Sequence, residues 1–370
     1  MARPGRSVPL RSPPTSPPKL DPDRLRFRQL LGKIGSGEHT STGLSRQEAC
    51  EAMELMLQGS PSDAQLGAFL IAHRIRRPAP IELAGMLDAY RAWGPVLRTP
   101  GRRALCFGVP YDGRTRTAPL LPLLALVLAA SGQPVVLHGG SPMPVKYGVT
   151  LAQLFAALSM EWRGLGLKAV QQRLDLHGLA LTHQPDHFPA AEGLVTVREQ
   201  IGKRPPVASL ELLWTPHQGE HLLVSGFVHP PTESRSWEAL TAAEETDVLT
   251  VKGLEGSTDL PLSRAGITAR VRHGQMERHV LNPSDHGLQG EDLPWEGIEP
   301  WTQQARWALV GQGPLAPALR WNLGAVLALS GIAENLEIAL AQAHALLEAG
   351  AGERLRADLA AGSTLAAANR

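Results

Sequence analysis

Cysteine is scarce in this 370-residue sequence, which contains only Cys50 and Cys106. Two cysteines cannot build a disulfide framework, and these two do not have the spacing of a paired-cysteine metal motif. We therefore expect a reduced, cytoplasmic protein. The 13 histidines include no zinc-protease pattern, since Pro185 separates His183 from His187. Ordinary capped or surface histidines are the favoured interpretation over a transition-metal site.

Long hydrophobic runs are also missing. The longest, residues 118–130, has about half of the roughly 20 residues that a membrane span needs, and Pro119 and Pro122 interrupt it. Residues 1–22 are rich in proline and lack the apolar core of a signal peptide. We expect no membrane partner and a disordered tail at residues 1–22. A transit peptide is the alternative, although the tail lacks the usual amphipathic pattern.

Net charge is close to zero, because 36 basic side chains oppose 35 acidic ones. This excludes a protein that is basic overall but not one with a local basic patch. Residues 71–116 hold nine arginines against three acids, whereas residues 205–260 hold nine acids against two basic residues. The asymmetry favours a basic groove for nucleic acid, and ordinary surface charge is the alternative. The candidate contacts are Arg74, Arg76, Arg77, Arg102 and Arg103.

Helical signals fill residues 23–98. Ser45 with Glu48, and Ser62 with Gln65, have the spacing of capping boxes, in which two side chains satisfy amides that the first helical turn leaves unpaired. Apolar residues then recur at helical spacing. The sequence predicts an N-terminal helical bundle domain over residues 23–98.

The pattern then changes to strand, loop, helix and strand. Apolar runs at 104–107 and 134–138 flank a helix at 120–130. This βαβ order predicts an α/β domain at residues 99–362, with a mainly parallel central sheet flanked by helices, before a tail at 363–370. Further strands are predicted at 179–182, 222–229 and 248–252, a hairpin at 267–272 and 276–281, and helices from 301 to 359.

Two loops at strand ends are candidates for binding phosphate. The first carries Asp112 and Gly113, with Arg114 and Arg116 beside them, just before a helix whose amino terminus suits an anion. The second follows the next strand, where ligands of parallel sheets bind, and contains Lys146. A surface turn with solvated basic side chains is the alternative in both loops.

The end of a third strand is a candidate site for binding magnesium. Glu255 follows the strand at 248–252, and carboxylate oxygens are ligands that Mg²⁺ prefers. A polar turn is the alternative, and no organic cofactor is evident.

Residues 45–93 resemble the N-terminal helical domain of anthranilate phosphoribosyltransferases. Three short elements carry the resemblance: Ser-Asp-Ala-Gln, Gly-Ala-Phe-Leu and Glu-Leu-Ala-Gly, which begin at Ser62, Gly67 and Glu82. The resemblance covers nearly all of residues 25–362. It implies that family's two-domain fold and dimerisation through the helical domain.

The two loops resemble the family's binding motifs in part. The first is similar to Gly-Thr-Gly-Gly-Asp-Gly through Gly108, Asp112 and Gly113, and the second to Lys-His-Gly-Asn-Arg through His138 and Gly139. The resemblance also implies roles for residues further along the chain. His187 and Arg198, with Gly202 and Arg204, would lie on the anthranilate side, and Glu255 would belong to a magnesium-binding pair.

The departures from these motifs favour an altered function. Pro110 and Tyr111 replace the central glycines, residues 118–121 lack the family's Asn-x-Ser-Thr hydroxyls, and Gly256 replaces the second magnesium carboxylate. The Lys, Asn and Arg of the second motif are here Leu137, Gly140 and Ser141. Each lost phosphate contact is worth about 1.5–3 kcal/mol.

The resemblance therefore implies a divergent pentosyl transferase homologue with eroded phosphoribosyl pyrophosphate motifs and an altered substrate. Asp112 and Glu255 would hold Mg²⁺ or sugar hydroxyls, and Arg198 would face the acceptor. Arg114, Arg116 and Lys146 would contact phosphate. The alternative is a non-catalytic member of the family that binds nucleic acid. An authentic anthranilate phosphoribosyltransferase of tryptophan biosynthesis is the least favoured of the three.

Overall fold

The computed structural model of the protein describes residues 21–37, 39–272 and 274–368. The predicted tail at residues 1–22 lies outside them, apart from Asp21 and Pro22. Four helices begin the described chain: α1 (Pro22–Gly35), α2 (Arg46–Gln58), α3 (Asp63–Arg76) and α4 (Pro80–Trp93).

Both predicted capping boxes are present. The Ser45 hydroxyl accepts a hydrogen bond from the Glu48 amide at 3.2 Å, and the Glu48 carboxylate accepts one from the Ser45 amide at 3.1 Å. Ser62 and Gln65 make the same reciprocal pair at the start of α3. These caps fix where two helices begin, and the helical domain is confirmed.

A seven-stranded sheet forms the centre of the second domain. Its strands are β1 (Ala104–Phe107), β2 (Val135–Gly139), β3 (Leu179–His183), β4 (His221–Gly226), β5 (Asp247–Val251), β6 (Gly266–Arg272) and β7 (Gln275–Leu281). Their order is β3-β2-β1-β4-β5-β6-β7. The first five strands of that order are parallel, and β6 and β7 add an antiparallel hairpin. The prediction of a mainly parallel sheet is confirmed.

Twelve further helices accompany this sheet in the described chain. They are α5 (Leu121–Ala130), α6 (Leu151–Ala157), α7 (Leu167–His177), α8 (Gln184–His187), α9 (Pro189–Glu192), α10 (Val195–Ile201), α11 (Val207–Leu213), α12 (Pro230–Ala242), α13 (Ile298–Ala308), α14 (Ala316–Leu329), α15 (Leu336–Glu348) and α16 (Ala351–Ala368). None of the described helices is both long and apolar enough to cross a membrane.

Several predicted boundaries differ from the structure. The strand predicted at 222–229 ends at Gly226, because Pro230 and Pro231 begin α12. Helices α7 to α12 were not predicted, since most are short and their apolar residues show no sustained period. Helix α16 continues to Ala368, into the segment predicted as a tail.

The connections that follow β1, β2 and β5 meet at the carboxyl edge of the sheet. The first two are joined by a bridge between Arg114 and Val149 and by a hydrogen bond from the Gly148 amide to the Asp112 carbonyl at 2.8 Å. Gly113 has a φ of +77°, and a Cβ there would lie 2.4 Å from the Gly148 carbonyl oxygen. Only glycine therefore allows the two loops to approach this closely.

Candidate functional site

Arg114 of the first loop lies inside the protein, with 5% of its surface exposed. Its Nη1 donates to Asp259 Oδ2 at 2.8 Å and to the Ser257 hydroxyl at 2.7 Å, and its Nε donates to Glu255 Oε1 at 3.2 Å. The guanidinium, predicted to face phosphate, is therefore paired with two carboxylates of the chain itself.

Glu255 occupies a set of amides suited to an anion. Its carboxylate accepts from the backbone N–H of Thr115 at 3.2 Å and from those of Arg116 and Thr117 at 3.0 Å. Successive N–H groups of this kind bind phosphate in many proteins. Burial opposes the charge of the Glu255 carboxylate, but Arg114 and the three amides outweigh it and lower its pKa to about 2.

Asp259 occupies the amino terminus of α5 in the same way. Its Oδ2 accepts from the Leu120 amide at 3.1 Å, directly before the helix begins at Leu121. This end of a helix attracts anions through its free N–H groups and its dipole. The carboxylates of Glu255 and Asp259 thus occupy two groups of backbone amides in the first loop that suit an anion.

Tyr111 fills the space between the first two loops. Its hydroxyl lies 2.6 Å from Nδ1 of His138, and both side chains are buried. Burial lowers the pKa of His138 to about 3, so the ring is neutral and shares one hydrogen bond with the Tyr111 hydroxyl. The remaining cavity, lined by Gly108, Gly139 and Arg114 among others, measures about 30 Å³. Small-molecule sites usually measure about 300–1,000 Å³, so this one holds a few waters at most.

Magnesium does not fit this arrangement. Both oxygens of Glu255 accept hydrogen bonds from Arg114 or from backbone amides, and Asp259 is paired with the same arginine. Mg²⁺ demands octahedral oxygen coordination and usually keeps several waters, for which the cavity has no room. The predicted role of Glu255 as a metal ligand would require this network to open.

A second charged cluster surrounds Asp112. Its carboxylate contacts Arg204, and it lies 3.7 Å from Lys146 Nζ and 3.8 Å from Arg198 Nη2. Arg198 in turn donates to Glu211 at 2.6 Å. The structure therefore brings together the predicted Asp112, Lys146 and Arg198. The cluster holds three cationic side chains, of Lys146, Arg198 and Arg204, against the carboxylates of Asp112 and Glu211, so the cations exceed the carboxylates by one charge.

His187 does not contribute to either cluster. Its Nδ1 accepts from the His183 amide at 2.9 Å, and its Nε2 lies 2.9 Å from the Leu165 carbonyl, to which it donates. Both ring nitrogens thus stabilise the chain after β3, and the ring is not available to an acceptor substrate.

The five arginines predicted for nucleic acid do not form one surface. Arg76 contacts the buried Glu82. Arg103 pairs with Asp247 at 2.6 Å, and Arg102 contacts the Gly132 carbonyl; both arginines precede β1, at the amino edge of the sheet. Arg74, Arg76 and Arg77 lie at the end of α3, whereas Arg102 and Arg103 lie on the connection that leads into β1.

Arg74 and Arg77 instead line a cleft with two arginines that the charge pattern did not select. Arg204 follows α10, and Arg235 belongs to α12, within the acidic stretch of the sequence. The cleft measures about 190 Å³, and none of the described residues that line it is acidic. Hereafter these four side chains are called the arginine cleft.

The network around Glu255 predicts acid sensitivity. Its pKa is about 2 in the folded protein against an ordinary 4.5, so its ionisation contributes stability above about pH 4.5, which is lost as the pH falls towards 2. The shift corresponds to about 3 kcal/mol. Urea unfolding across this range should show a weaker pH dependence in Glu255→Gln than in the wild type. Glu277→Gln, which removes an exposed carboxylate of β7, should leave the dependence unchanged.

Comparison with known proteins supports the fold and its domain order. The helical bundle domain of a glycosyl transferase family matches residues 28–94, and the a/b domain of the same family matches residues 120–353. Anthranilate phosphoribosyltransferase of Rhodopseudomonas palustris is 26% identical, over 92% of this chain and 99% of its own. The uncharacterized protein YbiB of Escherichia coli is 28% identical, over 86% of this chain and 99% of its own.

A solved structure has the same architecture. Anthranilate phosphoribosyltransferase of Saccharomyces cerevisiae, in complex with phosphoribosyl pyrophosphate and magnesium, superposes with a TM-score of 0.78 over 92% of this chain and 98% of its own. Its identity of 14% makes this a likeness of fold. With the helical bundle, the sheet and both domain matches in agreement, this chain belongs to the glycosyl transferase family that includes the anthranilate phosphoribosyltransferases.

Proposed function

We propose that this protein is a divergent member of its family that binds nucleic acid at the arginine cleft and does not transfer phosphoribosyl groups. The absence of phosphoribosyl transfer is supported by Glu255 and Asp259, whose carboxylates occupy the anion-binding amides of the first loop. A pyrophosphate donor would have to displace two carboxylates from Arg114 and from the amides that hold them. It would also have to open a cavity of about 30 Å³.

The composition of the arginine cleft supports the binding of nucleic acid. Four arginines from three segments of the chain line it, of which Arg204 is paired with Asp112, and the lining is otherwise apolar or hydroxyl-bearing. Arginine pairs with phosphate in a bidentate manner and stays charged at every physiological pH. A phosphodiester backbone is the ligand that such a cleft fits best.

Binding through phosphate contacts predicts a strong dependence on salt. Arg204 is paired with Asp112. The other three arginines of the cleft would give three phosphate contacts, which correspond to a slope of about −2 in log affinity against log salt for a single strand, so affinity should fall about 20-fold between 50 and 200 mM salt. Fluorescence anisotropy with a labelled single-stranded DNA oligonucleotide measures this slope, and a duplex of the same sequence tests strand preference.

The triple variant Arg74→Gln, Arg77→Gln, Arg235→Gln should remove most of this slope and weaken binding at low salt. Arg204 is left intact because it holds Asp112. Arg102→Gln is the matched control, since this exposed arginine precedes β1 and does not line the cleft. Equal effects of the control and the triple variant, or affinity that does not change with salt, would contradict the proposal.

Pentosyl transfer with an altered donor is the second candidate function. It is favoured by Arg198, a buried cation whose Nε and Nη2 make no hydrogen bond within the part of the chain that the structure describes, on the side where the family resemblance expects the acceptor. Mg²⁺ and a phosphorylated sugar would be its ligands, once the Glu255 network opened.

We also infer a homodimer through the helical domain, supported by the exposed apolar side chains of Leu25, Ile75 and Ile81.

A further inference from the structure

Three potential metal ligands converge at the amino edge of the sheet, away from the two phosphate loops. Cys106 lies within β1, His221 is the first residue of β4, and His217 belongs to the connection that leads into β4. One ligand atom from each residue lies within 4.8 Å of the other two, and the two Nδ1 atoms of the histidines are 3.5 Å apart. We propose that Cys106, His217 and His221 bind a transition-metal ion of the zinc type.

The strand register explains why these residues meet. His221 is paired with Ala104 across the parallel ladder between β4 and β1. Alternate residues of a strand point to the same face, so Cys106 lies on the same side of the sheet as His221, one repeat further along. His217 is brought to this edge by a bridge with Leu97, in the connection between α4 and β1.

The ring of His217 is already oriented for a metal. Its Nε2 lies 2.8 Å from the Thr99 hydroxyl oxygen, and that hydroxyl donates its own proton to the Arg102 carbonyl at 2.7 Å. Thr99 can therefore only accept from His217, which places the ring proton on Nε2 and leaves a lone pair on Nδ1. Metal-binding histidines are held in this way by a partner on the other nitrogen.

The ring of His221 is held by a carboxylate. Its Nε2 lies 3.1 Å from Glu245 Oε2, the carboxylate–histidine arrangement common at zinc sites. Its Nδ1 contacts the Gly219 carbonyl at 2.8 Å and would exchange this contact for the metal, releasing a proton. The Cys106 thiol would lose a proton in the same step, because the thiolate is the form that binds.

The ligand set selects the ion. One thiolate and two imidazoles suit Zn²⁺, with Zn–S near 2.3 Å and Zn–N near 2.0–2.1 Å, and water can complete a tetrahedron. Those bond lengths place ligand atoms about 3.3–3.7 Å apart. The three ligand atoms, which now lie within 4.8 Å of one another, must therefore approach each other by about 1.5 Å at most. The ion would fasten the connection before β4 to β1 and β4, beside the connection between α4 and β1 whose Thr99 holds His217.

Titration of the full-length, chelator-treated protein with Co²⁺ as a probe tests the site. We expect one Co²⁺ per chain, with thiolate-to-cobalt charge-transfer absorption in the near ultraviolet that one equivalent of Zn²⁺ removes. Zn²⁺ should also raise the melting temperature of the wild-type protein. The absence of this absorption at stoichiometric Co²⁺ would overturn the proposal.

The two cysteines of the chain provide a matched pair of variants. Cys106→Ala should lose both the absorption and the Zn²⁺-dependent shift in melting temperature, whereas Cys50→Ala, in α2, should keep both. His221→Gln, at a partly exposed position, serves as a second variant should Cys106→Ala fail to fold, and it should weaken Co²⁺ binding and alter the absorption. Absorption that survives in Cys106→Ala, or that is unchanged in His221→Gln, would contradict the assignment.

Discussion

Replacing Arg114 by alanine is expected to lower the free energy of unfolding by about 3–5 kcal/mol. The substitution leaves Glu255 and Asp259 as buried carboxylates without the cation that neutralises them. Removing one partner of a buried ion network is costly because the remaining charges stay desolvated. Urea denaturation at neutral pH measures the loss.

Arg116→Ala is the control for this prediction. Arg116 is two residues away and lies 3.7 Å from the same Glu255 carboxylate, but 77% of its side chain is exposed. An exposed ion pair contributes about 0–1 kcal/mol, so this variant should unfold almost as the wild type does. Equal losses in the two variants would contradict the view that Arg114 stabilises the interior of the loop region.

Phosphoribosyl pyrophosphate with Mg²⁺ is expected to produce no binding heat at millimolar concentration. At least four contacts of the family's motifs are replaced, at Pro110, Tyr111, residues 118–121 and Gly256. At about 1.5 kcal/mol or more each, their loss lowers affinity by roughly 10⁴-fold or more. Displacement of Glu255 from its amides adds to that loss.

Isothermal titration calorimetry provides the comparison. The yeast enzyme that was solved with the same donor and magnesium serves as the positive control in the same buffer. A saturable heat with this protein would contradict the prediction and support pentosyl transfer, the second candidate function.

The helical domain and the parallel sheet could be predicted because their signals are local. The Ser45–Glu48 and Ser62–Gln65 boxes each lie within four consecutive residues, and the apolar runs of β1 and β2 flank a single helix. Helices α7 to α12 lack such signals, and their positions depend on packing against the sheet and the helical domain.

The pairing of Arg114 with carboxylates could not be predicted, because the contacts that produce it join distant parts of the sequence. The partners of Arg114 are 141 and 145 residues away in the chain, at Glu255 and Asp259. No local pattern distinguishes an arginine that awaits phosphate from one that is neutralised by a distant carboxylate. The sequence did reveal that Pro110 and Tyr111 depart from the family motif, and Tyr111 fills the cavity accordingly.

The arginine cleft could not be predicted from the sequence either, because its arginines come from separate segments of the chain. The charge pattern of the sequence predicts one patch for Arg102 and Arg103 together with Arg74 and Arg77, although only the last two line the cleft. The same pattern leaves out Arg235, because nine acidic residues surround it in sequence and none of them lines the cleft. Spatial charge depends on which residues the fold brings together.

A crystal structure determined after soaking with phosphoribosyl pyrophosphate and Mg²⁺ tests the central claim most directly. We predict that Glu255 remains bonded to Arg114 and to the amides of residues 115–117, with no donor between the first two loops. A donor bound at those amides, with Glu255 turned away to hold Mg²⁺, would contradict the account.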